Sequence, residues 1–186
     1  PWLTALFQSE HLSLLAGSGL THAVHYLAAG KPAAGMNEVA LTSYKDAIEK
    51  AAKEAAQKSG RETGNLEDQL RVANELLRGL EILGNSAEAE TLRTELTSAL
   101  KEFSKSILES EAGIAEASED KREQALNVLV TFLMSFASRT GVRDRLNIFT
   151  TNYDRLIEAG AELAGLHLLD RFLGSLMPIC RSSRLD

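Results

Sequence analysis

The stretch Asn147-Ile148-Phe149-Thr150-Thr151-Asn152-Tyr153-Asp154-Arg155-Leu156-Ile157-Glu158 does most to limit what this chain can become. It opens with a short apolar, β-favouring run that breaks off at two threonines. A polar cluster of Asn152, Tyr153 and Asp154 follows, and residues 153–164 then carry a helical pattern. A buried parallel strand over 146–151 that delivers polar groups from its carboxyl end has this form. In open α/β sheets that end is where ligands bind.

A second stretch near the start has a related form. Residues 11–16 read as a short strand, which runs into Gly17-Ser18-Gly19-Leu20-Thr21 and a helix-like segment through Ala28. Two glycines between a strand and a helix let the backbone approach a phosphate. The helix start adds free N–H groups and the positive end of the dipole. The third glycine of the usual dinucleotide fingerprint is absent.

Together the two stretches resemble the sirtuin-like NAD-consuming domains, in particular the bacterial antiphage-defence NAD hydrolases. Gly17, Gly19 and Thr21 match that family's G-x-G-x-[ST] loop, and Thr151, Asn152 and Asp154 match its TTNYD or TQNID-type motif. The resemblance covers roughly the first thirty and last forty residues. It implies an α/β fold with a Rossmann-like, sirtuin-type parallel sheet, only partly present, and a large helical insertion that makes helix the majority. Residues 1–186 would be one incomplete domain, with 31–140 as the insertion between the glycine loop and the TTNYD strand.

The resemblance also implies an activity: hydrolysis of NAD to nicotinamide and ADP-ribose, triggered in antiviral defence so that NAD depletion halts the infected cell. NAD is then the substrate, and no metal is expected. Homo-oligomers are expected, and some members pair with a HerA-type hexameric ATPase. The glycine loop, with Ser18, would meet the pyrophosphate through backbone N–H groups; Thr21 would add a hydroxyl, and Thr151 belongs to the same binding set. Asn152 would be the catalytic residue, since the matching Asn is needed for cleavage in the resembling hydrolases and a carboxamide both donates and accepts. Asp154 would stay ionised beside the nicotinamide ribose and stabilise developing positive charge. From the local residues alone, Asn152 and Asp154 serve equally well as caps of the following helix.

One departure stands out. The family uses a histidine in a His-Gly context after the TTNYD motif, and this chain has no His-Gly. His167 lies in a leucine-rich context and reads as a half-buried histidine. The acid–base histidine either lies beyond Asp186 or is lacking, which would leave a degraded or binding-only protein. Pro1 is no initiator and residues 181–186 finish no element, so a fragment of a longer protein is expected. Deacylases of the sirtuin family carry a cysteine-rich zinc module that Cys180 alone cannot supply. An NAD-dependent deacylase is therefore the weaker alternative, alongside a helical oligomerisation module with a vestigial nucleotide pocket.

Charge narrows the partners. The net charge is −6, and residues 45–123 hold 12 basic and 18 acidic residues, so the whole acidic excess lies there. That argues against direct nucleic-acid binding, which needs a basic stripe. No apolar run approaches the ~20 residues of a membrane helix. A single cysteine fits a reducing cytoplasm.

The rest of the chain is helical in type. Residues 1–9 suggest a short helix, and 30–35 a turn. His22 and His25 lie three apart on a helix but lack further metal ligands nearby. From about residue 40 to 139 helices dominate. Lys45 to Lys58 is a ladder of opposite charges, the mark of a solvated helix. Asn65 is an N-cap, with Asp68 at the third helical position, before an apolar stripe of Leu66, Leu70, Ala73, Leu77, Leu80 and Leu83. A helix from Ser86 carries Leu92, Leu96, Leu100, Phe103 and Ile107 and is interrupted at Gly113. The run from Ala125 to Phe136 is apolar over so much of its circumference that burial on more than one side is expected. Residues 141–145 form a polar connection, 166–169 suggest a strand, and Phe172, Gly174 and Pro178 suggest loop.

Overall fold

The computed structural model describes residues 12–35, 41–137, 145–169, 172–173 and 179–180. The expected helix over 1–9, most of the 141–145 connection, and Gly174 and Pro178 lie outside them. The chain divides into two compact units, residues 1–31 with 114–186, and residues 32–113.

In the first unit, β1 (Ser13–Ala16) pairs in parallel with β2 (Asn147–Thr150), placing Leu14 opposite Ile148 and Ala16 opposite Thr150. The strands alternate as the pleat requires. Leu14 and Ala16 point into the core, while Leu15 is 73% exposed beside Phe149 at 59%. The buried strand expected at 146–151 is therefore covered on one face only. Among the described residues the parallel sheet has two strands, too few to sit inside a sandwich of helices.

One residue, Gly17, separates β1 from helix α1 (Ser18–Ala29). Gly17 is its N-cap in extended conformation, and the Leu20 amide donates to the Gly17 carbonyl at 3.0 Å. The expected glycine loop is thus a one-residue corner, with Ser18 and Gly19 already in the first helical turn. Gly30 closes the helix in the left-handed region at φ 70°, where glycine escapes the Cβ penalty. Thr21, Val24, His25 and Ala28 are its buried face, at helical spacing. Val24 and Ala28 join Leu14, Ile114, Ala125, Leu129, Leu133 and Leu156 in one apolar core.

Helix α5 (Glu119–Ala137) supplies Ala125, Leu129 and Leu133 to that core, packing on α1 and on α6 (Leu156–Leu163). The apolar run is helical, but its burial is one-sided, not on several sides as expected, and Val128 and Met134 are exposed. At its crossing with α6, a Cβ on Gly160 would stand 2.7 Å from Leu133 Cδ1 and 2.8 Å from Leu129 Cγ. Only glycine lets the helices come this close. Residues 166–169 form no strand: Leu166 packs against the core, Leu168 and Leu169 are exposed, and no strand among the described residues pairs with the run. The tail expected as loop contains β3 (Phe172–Leu173) and β4 (Ile179–Cys180), an antiparallel pair.

The second unit is helical. It holds α2 (Lys45–Lys58), α3 (Leu66–Ile82) and most of α4 (Ser86–Ala115) around Leu41, Ile48, Ala73, Leu80, Ala89, Leu92 and Leu96. Asn65 makes the expected cap as a full capping box: the Asp68 amide donates to Asn65 Oδ1 and the Asn65 amide to Asp68 Oδ2, each at 3.1 Å. Leu83 drops out of the expected stripe because it lies past the last turn as C-cap, exposed, while Gln69 takes a buried place. Gly113 does not interrupt α4, which runs on to Ala115. One interior glycine costs only about 1 kcal/mol against alanine, and buried Ser110 and Ile114 flank it.

Candidate functional site

The parallel pairing sets two carboxyl ends side by side, Ala16 of β1 and Thr150 of β2. From the first the chain turns at Gly17 into α1. From the second it passes through residues 151–155 into α6. Side chains that leave these two corners meet.

Asn152 lies between them, half-buried. Its backbone amide donates to Thr150 Oγ1 at 3.0 Å, which folds the chain back after the strand. Its Nδ2 donates to the Gly17 carbonyl at 3.1 Å and to Thr21 Oγ1 at 2.9 Å. Thr21, 8% exposed on the inner face of α1, donates its own hydroxyl proton to Asp154 Oδ2 at 2.6 Å. The other Asp154 oxygen accepts from the Leu156 amide at 3.1 Å, at the first position of α6. Segments about 130 residues apart are so joined by three side chains.

The expected site residues fall into two groups. Gly17, Thr21, Asn152 and Asp154 are in direct hydrogen-bonded contact. Ser18, Gly19 and Thr151 are exposed at the rim. Thr151 Oγ1 lies 3.8 Å from where a Gly17 Cβ would stand, and nothing lies within 4 Å of one on Gly19. The amides of Ser18 and Gly19, in the first turn of α1, have no intrahelical acceptor by position, and the dipole leaves partial positive charge there.

This geometry changes the chemistry expected of Asn152. Nδ2 has two hydrogens and both are in use, so the carboxamide can offer a ligand only its Oδ1, an acceptor. Asp154 keeps lone pairs beyond the two bonds it accepts. Neither residue caps α6 from the N-cap position, which Arg155 holds without a side-chain capping bond to the helix. Asp154 still serves the helix start through the Leu156 amide.

One residue, Thr150, and one role, that of the Gly17 carbonyl, were not singled out in the sequence. Thr150 anchors the Asn152 backbone, and a hydroxyl two residues before an amide is a recognisable local turn. The Gly17 carbonyl has no side chain to announce it. The histidines lie apart from the network. His25 is buried with Nδ1 against the Lys31 carbonyl at 2.7 Å, and His22 Nδ1 is buried with no hydrogen-bond partner. His167 is exposed, not half-buried as expected; it is the preceding Leu166 that packs against the core. No cluster of metal-ligating side chains occurs among the described residues. Shallow depressions on the outer faces of α4 (Leu100, Lys101, Leu108) and α5 (Asp120, Glu123, Val128) touch none of the site residues. Among the described residues no helix is long and apolar enough to cross a membrane.

No protein-family model matches the chain, and no curated protein matches it.

Proposed function

We propose that the chain is the nucleotide-binding part of an NAD hydrolase, releasing nicotinamide and ADP-ribose, and that it acts in antiviral defence by depleting NAD when triggered. The observation that carries the reading is the joining of Thr21, Asn152 and Asp154 at the carboxyl ends of two parallel strands, beside the start of α1. That is where an open Rossmann-like sheet of the sirtuin type holds its ligand, and the exposed amides of Ser18 and Gly19 suit a pyrophosphate.

Breaking the bond between nicotinamide and ribose builds positive charge on the ribose as the ring leaves as a neutral base. A water then adds to the ribose carbon and releases a proton. Groups that meet this charged, flattened state better than the substrate supply the rate. Asp154 offers a fixed negative charge half-buried beside the site, where solvent screens it less than at the surface. Asn152 Oδ1 accepts from the attacking water or from a ribose hydroxyl and orients it. Thr151 lines the rim. The protein works in the cytoplasm as a homo-oligomer, with a HerA-type ATPase as a candidate partner and no metal in the reaction.

The deciding experiment incubates the full-length protein with NAD and follows nicotinamide, comparing wild type with Asn152→Ala. The expected loss is on the order of a hundredfold, as for removal of one positioned group. Equal rates would remove Asn152 from the mechanism.

One observation favours a second reading. The Thr21–Asn152–Asp154 network saturates both Nδ2 hydrogens and engages both carboxylate oxygens, as a purely structural clasp would. A helical oligomerisation module with a vestigial nucleotide pocket predicts no thermal shift with NAD, whereas the hydrolase predicts one.

A further inference from the structure

The bonds at Thr21 have a direction, and it follows from Asp154. An ionised carboxylate only accepts, so the Thr21 hydroxyl must give Asp154 its one proton across the 2.6 Å contact. Having given it, Thr21 can only accept from Asn152, and the amide nitrogen must face it at 2.9 Å. The Gly17 carbonyl, also an acceptor, takes the second Nδ2 hydrogen. The proton order therefore runs one way, from Asn152 through Thr21 to Asp154, and it turns Asn152 Oδ1 away from both acceptors.

We infer that Thr21 is a positioning residue that fixes the amide orientation of Asn152, and that it is not a ligand for phosphate. Its hydroxyl is buried and its proton is committed, so nothing is left for an incoming anion to accept. A carboxamide free to rotate by half a turn would present N–H groups where the reaction needs an acceptor. The charge of Asp154, relayed through Thr21, disfavours that flipped state. The kinetic part of the inference rests on the NAD-cleaving reading; the orientation part does not.

The test uses the full chain and the near-isosteric Thr21→Val, with Thr21→Ser as the variant that keeps the hydroxyl. In nicotinamide release, Thr21→Val is expected to lower kcat on the order of a hundredfold while KM stays within about twofold. Thr21→Ser is expected to recover most of that loss. A rise in KM at constant kcat would make Thr21 a ligand contact and overturn the inference, as would unchanged kinetics.

The second measurement is the NMR signal of the Asn152 side-chain amide. It is expected to shift in Thr21→Val and in Asp154→Asn, which removes the charge that orders the protons, and to stay near its wild-type position in Thr21→Ser. An unmoved signal in the first two overturns the inference. If wild type releases no nicotinamide, the hydrolase reading fails, and the amide signal alone decides the role of Thr21. If Thr21→Val does not fold, Asp154→Asn carries the same decision.

Discussion

Gly19 stands at the start of a helix with open space where a side chain would go. Packing does not require it, and its backbone is in ordinary helical conformation. Gly19→Ala should therefore leave the fold intact and raise stability by about 0.5–1 kcal/mol through the lower entropy of the unfolded chain. A glycine that the fold can spare is informative if a ligand needs it. In the hydrolase reading a methyl group on the exposed first turn obstructs the pyrophosphate, so KM for NAD rises while the melting temperature does not fall. Thermal melts and nicotinamide release on one preparation check both. The meeting of positions 21 and 152 was legible from the order of the motifs. The hydroxyl's task was not, because the sequence shows which groups are present but not which acceptor takes each proton.

Gly160 is the opposite kind of glycine. An alanine there gains up to about 1 kcal/mol in helix propensity. Its Cβ would overlap Leu129 and Leu133 of α5, and overpacking of this kind costs typically about 1–3 kcal/mol. The second effect wins, so Gly160→Ala should lower stability, read as a fall in melting temperature by circular dichroism. If the melting temperature rises, the close crossing of α5 and α6 is wrong. Nothing in the sequence around Gly160 marks it, since the constraint comes from a helix more than twenty residues away. Local chemistry was readable where it was self-contained: Asn65 and Asp68 make their cap within one turn. It misled where packing decides. Gly113 reads as a break but is carried through by buried neighbours, and the leucines at 168 and 169 read as a strand but find no pairing strand among the described residues.

At the scale of the molecule, the acidic excess of residues 45–123 is not all idle surface charge. Burial pushes the Glu95 carboxyl up, but donated hydrogen bonds outweigh it and hold its pKa at about 2. They come from the backbone and side chains of Thr42 and Ser43, with N–H contacts at 3.0 Å to Oε2 and the Ser43 hydroxyl at 2.7 Å to Oε1. Arg61 likewise lowers the Asp68 carboxyl through a 2.8 Å ion pair. A depressed carboxylate contributes stability that is complete above its unfolded pKa and is lost as pH falls through the folded one. For Glu95 that window runs from 4.5 down to about 2. Melting temperature should therefore drop across it in wild type. Glu95→Gln should start lower at neutral pH and fall less steeply, and parallel curves would exclude Glu95 as an acid-labile tie.

The outward pair Leu15 and Phe149 has a practical corollary. A hydrophobic dye taken up by a protein ordinarily signals a loosened interior. Here two neighbouring strands present greasy side chains to water while the layer beneath them is packed. Fluorescence from such a probe would thus report the intact surface, and judging the preparation's quality by that assay would mistake a native property for damage.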